Sequence, residues 1–311
     1  MFSIAKLPLR LKILCLGTLL LLVEKSFGFS DSVQLVFFAL GIALIGIPHG
    51  SLDHFLYLKS RGEVSQWRSM FRFLFFYLGY GLLYALLWYL NPALSIFLFI
   101  LISAYHFGEM DLFELMNEGR TIHKIMSTCF GLIFLGNYLL FHWPEAKAIL
   151  YSFPGFELRF SAFINTAYEQ RFLWLAISLC CIGGCFLFYS QKNQHKTLTW
   201  IGQVLPLALL WLIVFNLPLL LGFGFYFSCW HAGLSITEIR KSLGWEHQSW
   251  LFLFKKSLPT NLAAFIMIAS LLFFFYGDLN RILAILFMSI AILTAPHVQV
   301  ISAIFSGKKA F

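Results

Sequence analysis

Charge is what this sequence has least of: Asp, Glu, Lys and Arg make up 12% of its 311 residues, about half the roughly 25% typical of water-soluble domains. An ordinary soluble fold is therefore excluded. Cysteine is sparse and unpaired in spacing. Cys15, Cys129, Cys180, Cys181, Cys185 and Cys229 all fall inside apolar runs with no C-x-x-C pairs, which excludes a disulfide scaffold or a zinc ribbon and predicts small buried hydrophobes. Acidic residues, 14 against 22 basic ones, leave a net charge of +8. No basic stripe interleaved with aromatics accompanies that charge, so no nucleic-acid partner is expected.

What is present is apolar sequence, 60% of the chain. A membrane span takes about 20 such residues to cross roughly 30 Å of hydrocarbon. Charge and Asn-Pro or Pro-Gly punctuation divide the chain into ten candidate helices, at about 11–29, 33–58, 69–90, 93–115, 122–142, 172–190, 198–216, 218–239, 258–276 and 281–305. The expected fold class is all-α, a polytopic membrane protein of about ten transmembrane helices forming a single domain over 1–311. Asn91-Pro92 and Asn216-Leu217-Pro218 mark tight helical hairpins. The longest connection, 143–171, is expected on the membrane surface. Lys6, Arg10 and Lys12 before an apolar run resemble a signal peptide, but Ser26-Phe27-Gly28 is a poor cleavage site, so an uncleaved first helix is expected.

Strict alternation of ten spans puts seventeen of the 22 basic residues on one side and leaves only Lys25, Lys147, Arg159, Arg171 and Arg281 opposite. The positive-inside rule then predicts a multi-pass protein of the inner (plasma) membrane with both termini cytoplasmic.

Of nine histidines, His123, His142, His195 and His247 fall in loops or at helix ends and are expected to be surface or interfacial. Five lie within predicted spans, where an ionisable side chain is costly and marks a functional site by default. His49 lies 16 residues after Val33, His106 13 after Ala93, His231 13 after Pro218 and His297 16 after Arg281. All four spans run in the same direction, and at 1.5 Å per residue these depths agree within about 5 Å. One layer of four imidazoles is predicted. His54 points about 100° away from His49 on the same helix and is the weaker candidate. Asp53, one turn after His49, is placed either to orient an imidazole or to pair with another polar group. Glu109 and Asp111 repeat this arrangement of a histidine followed by carboxylates toward the inside, or else simply face cytoplasmic water. An all-nitrogen donor set suits iron, copper, zinc or nickel better than magnesium or calcium.

The stretches Gly46-Ile47-Pro48-His49-Gly50-Ser51-Leu52-Asp53, Tyr105-His106-Phe107-Gly108-Glu109, Phe225 through His231, and Ala295-Pro296-His297 resemble the Brp/Blh family of bacterial membrane β-carotene 15,15'-dioxygenases, over most of the chain. The resemblance implies an Fe(2+)-dependent oxidoreductase that cleaves the central double bond of β-carotene with O₂ to give retinal. It also implies a functional link to a microbial rhodopsin, with His49, His106 and His231 as metal ligands. The family pattern places a second histidine one turn after the third; here that residue is Ser235. Either His297 completes a set of metal ligands with His49, His106 and His231, or three histidines suffice, or this member has drifted from carotene cleavage. The depth match favours His297. A di-iron desaturase is disfavoured, because paired HxxxH and HxxHH clusters are absent. The non-enzymatic alternative is a membrane transporter or a carotenoid- or retinal-handling partner of a rhodopsin.

Overall fold

The computed structural model describes residues 8–63, 67–113, 121–193, 197–274 and 277–305. Every regular element among them is helical: α1 Leu9–Phe27, α2 Asp31–Arg61, α3 Trp67–Leu90, α4 Pro92–Asp111, α5 Thr121–Phe141, α6 Trp143–Tyr151, α7 Phe156–Glu169, α8 Arg171–Asn193, α9 Thr197–Phe215, α10 Leu219–Leu243, α11 Trp250–Phe274 and α12 Leu279–Phe305. The chain is an all-α polytopic membrane protein. Each of the ten predicted spans falls on a helix, and seven of the described helices (α2, α3, α4, α5, α10, α11 and α12) are long and apolar enough to cross a membrane.

The hairpins form where the Asn-Pro punctuation sits. At the first, Asn91 caps α4 by accepting from the Leu94 amide at 3.2 Å, with Pro92 opening the helix. Helices α4 and α5 approach until their backbones touch: a Cβ on Gly108 would collide with the Ser127 carbonyl, and one on Gly131 with the Ala104 carbonyl. Lipid tails are as apolar as leucine, so association in a bilayer relies on such close packing rather than on escape from water.

The 143–171 connection is not a plain surface loop. It folds into α6 and α7, and α6 buries Trp143, Ala146 and Ile149 in the core. This is why His142 is 7% exposed, its ring packed 4.6 Å from Tyr138, and not interfacial as expected. His123 is likewise buried, at 6%, because the first turn of α5 already packs on α4. His247 is exposed as expected, and His195 lies outside the described residues. The cysteines correct the opposite way. Five are exposed and Cys229 is half-buried, because the helix faces that carry them point away from the bundle, where a membrane protein meets lipid rather than water.

Helices α2 and α10 each contain a wide π-type segment, Ile42–Gly46 and Phe225–Ala232, and the two pack against each other. Glycine permits that contact: a Cβ on Gly41 would meet the Ser228 hydroxyl, and one on Gly46 the Phe227 ring. Such segments are rare and concentrate at functional sites. Just past His49, α2 breaks at Ser51-Leu52, which frees backbone carbonyls. The Ser51 carbonyl accepts from Thr260 Oγ1 at 2.8 Å, and Ser51 Oγ donates to Asn261 Oδ1 at 2.5 Å, so α11 braces the break.

Candidate metal centre

Four buried histidines converge from four helices: His49 from α2, His106 from α4, His231 from α10 and His297 from α12, each at most 5% exposed. Ring nitrogens of His49, His106 and His297 all lie within 4.8 Å of one another. His231 stands at their flank, with Nε2 3.1 Å from Nε2 of His106 and its ring centroid 5.6 Å from that of His49. The structure thus brings together every histidine of the predicted layer. His54 stays outside it, half-buried with its ring 3.9 Å from that of Phe55.

Local structure aims the rings. His49 donates from Nδ1 to the Gly46 carbonyl, which can only accept, so the lone pair sits on Nε2. His297 donates from Nδ1 to the Asp53 carboxylate, 2.9 Å from each oxygen, again leaving Nε2 as the acceptor. Asp53 is itself 2% exposed and accepts from Tyr77 Oη at 3.0 Å. A carboxylate behind an imidazole is the usual device for orienting a metal-bound histidine. Asp53 performs it across the bundle, for α12, rather than for His49 on its own helix. Gly50 leaves the room: a Cβ there would sit 3.4 Å from Nδ1 of His297.

The second carboxylate decides between two readings. Asp111 does not face water: it is 2% exposed and accepts from Trp230 Nε1 at 2.8 Å and Tyr226 Oη at 3.0 Å. It clamps the π segment of α10 to α4 immediately beside His231. The Arg10 guanidinium lies 5.8 Å from the Trp230 ring centroid on the same side. Glu109 is half-buried and accepts from Tyr105 Oη at 2.6 Å. Tyr77, Tyr226 and Trp230 were not singled out from sequence, since an aromatic in an apolar span carries no signal of its partner 24 or 115 residues away.

Does this set fit a metal ion? His297 Nε2 is buried with no hydrogen-bond partner, which costs free energy unless something accepts its lone pair. Nitrogens ligating one ion at about 2.1 Å sit roughly 3.0–3.4 Å apart at right or tetrahedral angles, and the Nε2 atoms of His106 and His231 are 3.1 Å apart. Buried neutral nitrogen donors without thiolate or carboxylate ligands match a borderline transition metal. The residues fit such an ion. Ser235, where the resemblance implies a histidine, is 2% exposed, and its hydroxyl has no partner among the described residues.

No solved structure matches this chain. Among curated proteins it is similar to a probable β-carotene 15,15'-dioxygenase Blh of Halobacterium salinarum, 24% identical over 83% of this chain and 81% of that protein. It is also similar to a β-carotene 15,15'-dioxygenase of an uncultured marine bacterium, 34% identical over 22% of this chain and 26% of that protein. The family model described as β-carotene 15,15'-dioxygenase matches residues 40–305, a span that contains all four histidines, Asp53 and Asp111. With a match over most of its length, the chain belongs to the β-carotene 15,15'-dioxygenase family.

Proposed function

We propose that this protein is an iron-dependent membrane dioxygenase that cleaves the central double bond of β-carotene. The observation that carries the reading is the buried meeting of His49, His106, His231 and His297 in a chain of this family. In the reaction one C=C bond breaks and two C=O bonds form. Each retinal takes one oxygen atom of O₂, so no other reductant or oxidant is needed.

A ferrous ion, when bound, supplies a site at which O₂ is activated. The four imidazoles would hold it, and the protein contributes position and dryness. Asp53 and Tyr77 fix the His297 ring with Nε2 inward; the Gly46 carbonyl does the same for His49. Asp111 holds Trp230 and Tyr226, and with them the segment that presents His231. Phe107 and Phe227, 4% and 6% exposed, pack on the histidine rings and exclude water from around them. The orientation proposed is the one with both termini cytoplasmic in the plasma membrane, and a rhodopsin that consumes the retinal is the proposed functional link.

Expression in a β-carotene-producing bacterium, with retinal quantified by chromatography, tests the reaction. Retinal should accumulate and the orange colour fade only in aerated cells. Undiminished β-carotene with no retinal, from a protein shown to be inserted in the membrane, would overturn it.

A further inference from the structure

Beside the histidine cluster, toward the Asn91-Pro92 turn, lies a cavity of about 100 Å³ walled by α3, α4, α5, α6, α10 and α12. Its near wall is Phe107, whose ring centroid is 4.6 Å from that of His231. Ser103, one helical turn before His106 on α4, lines it next, followed by Ile100 and Ile96. The far end is lined by Trp88, Ile149 and Phe153, with the Trp88 and Phe153 rings 5.1 Å apart.

We propose that this cavity seats one ring-bearing end of the polyene and acts as a ruler, its depth from the histidine layer deciding which double bond lies at the metal. The proposal rests on the carotene-cleaving reading above and adds where the substrate sits. Three observations support it. Phe107 lines the cavity and packs on the His231 ring, so the cavity reaches to within one ring of the histidines. The wall is hydrocarbon apart from a few polar groups, and the Tyr138 hydroxyl is turned aside to donate to the Leu219 carbonyl at 2.8 Å. From His106 back to Ile96 is ten residues of helix, about 15 Å, close to half the length of an extended C40 polyene. A seat of that depth places the centre of a symmetric substrate, and not a bond nearer its end, against the histidines.

The short helix α6 is the side of this ruler that can be altered apart from the histidines. It supplies Ala146, Ile149 and Leu150 to the wall, yet carries no histidine of the cluster, so substitutions there alter cavity depth without touching a metal ligand. Ala146, 2% exposed, is small, and a phenyl group at that position would project into the space.

The test compares full-length wild type with Ala146→Phe, Phe153→Ala and Ser103→Phe, all expressed in β-carotene-producing cells. Three readouts are taken: iron content, β-carotene retained by protein purified without O₂, and the chain lengths of the aldehydes formed with O₂. Wild type should retain pigment and give retinal alone. Ser103→Phe should lose the retained pigment while keeping iron. Phe153→Ala, which deepens the seat, should give two aldehydes of unequal length beside retinal. Ala146→Phe, which shortens it, should reduce both retention and retinal. Because Ala146 and Phe153 lie at the far end, iron retention in those two variants keeps the test valid even where Ser103→Phe fails to fold. Wild-type pigment retention and retinal as the only product in Ala146→Phe and Phe153→Ala would overturn the ruler. Pigment retention without any retinal from wild type would instead overturn the reaction and leave the seat standing.

Discussion

Helices α10 and α3 are both long and apolar, with α3 if anything the more apolar, yet 72% of the apolar stretch of α10 is buried against 17% for α3. Helix α11 resembles α3, at 17%, whereas α12 and α4 resemble α10, at 61% and 50%. Helix α2, which carries His49 and Asp53, lies between them at 33%, so burial rather than hydropathy separates the helices that carry the histidines from α3 and α11. The buried ones hold polar side chains that engage one another: His231 in the cluster, Asp111 clamping Trp230, His297 held by Asp53. The outer helices contribute braces such as Tyr77 and Asn261 from one face only. A polar group in hydrocarbon is tolerated where the protein itself satisfies it.

The sharpest way to break the contrast is within the buried set. His106→Ala and His231→Ala should each abolish both metal binding and retinal formation, read as iron per chain and as product, while the protein stays inserted in the membrane. Next in size, Gly108→Ala drives a methyl group into the Ser127 carbonyl. Overpacking of that kind costs about 1–3 kcal/mol, and the variant should unfold at lower temperature and accumulate less. Asp53→Asn keeps shape but weakens the hold on His297 Nδ1. Loss of such an orienting partner lowers metal affinity about 10- to 100-fold, measurable by competition with a chelator. Tyr77→Phe removes only one hydrogen bond to that carboxylate, about 0.6 kcal/mol in a membrane, so its iron affinity should fall far less. On the outer face, Leu82→Ala trims a side chain that is 70% exposed and should change stability by less than about 0.5 kcal/mol. A large loss there would contradict the assignment of α3 as an outer, lipid-facing helix.

How much of this was legible in the sequence follows from the same contrast. The helices and hairpins were, because length, hydropathy and Asn-Pro punctuation are local properties, although seven of the described helices, against ten expected spans, are long and apolar enough to cross a membrane. The four histidines were, because ionisable groups in apolar runs are rare and their depths can be counted along helices of common direction. The partners were not. Nothing near Asp53 says that it reaches His297, 244 positions on, rather than His49 four positions back. Asp111 stayed open between facing water and supporting a histidine because a carboxylate near a helix end can do either, and only the arrival of Tyr226 and Trp230 from α10 makes its burial affordable. The cysteines misread for a related reason: in a membrane the outside of a bundle is apolar too, so an apolar run does not distinguish core from lipid face. The π segments left no readable mark, since Phe225–Ala232 has the composition of an ordinary apolar helix.

The central claim is that four imidazoles, His297 among them, hold a single ion. It is tested most directly by measuring iron in purified wild type, His106→Ala and His297→Ala, with Ser235→Ala as the control for the position where the resemblance implies a histidine. The account predicts stoichiometric iron in wild type and Ser235→Ala, and its loss to the same extent in His106→Ala and His297→Ala. Full iron occupancy in His297→Ala would contradict it, and would leave a centre built on His49, His106 and His231 with the Asp53–His297 pair serving only to pack the bundle.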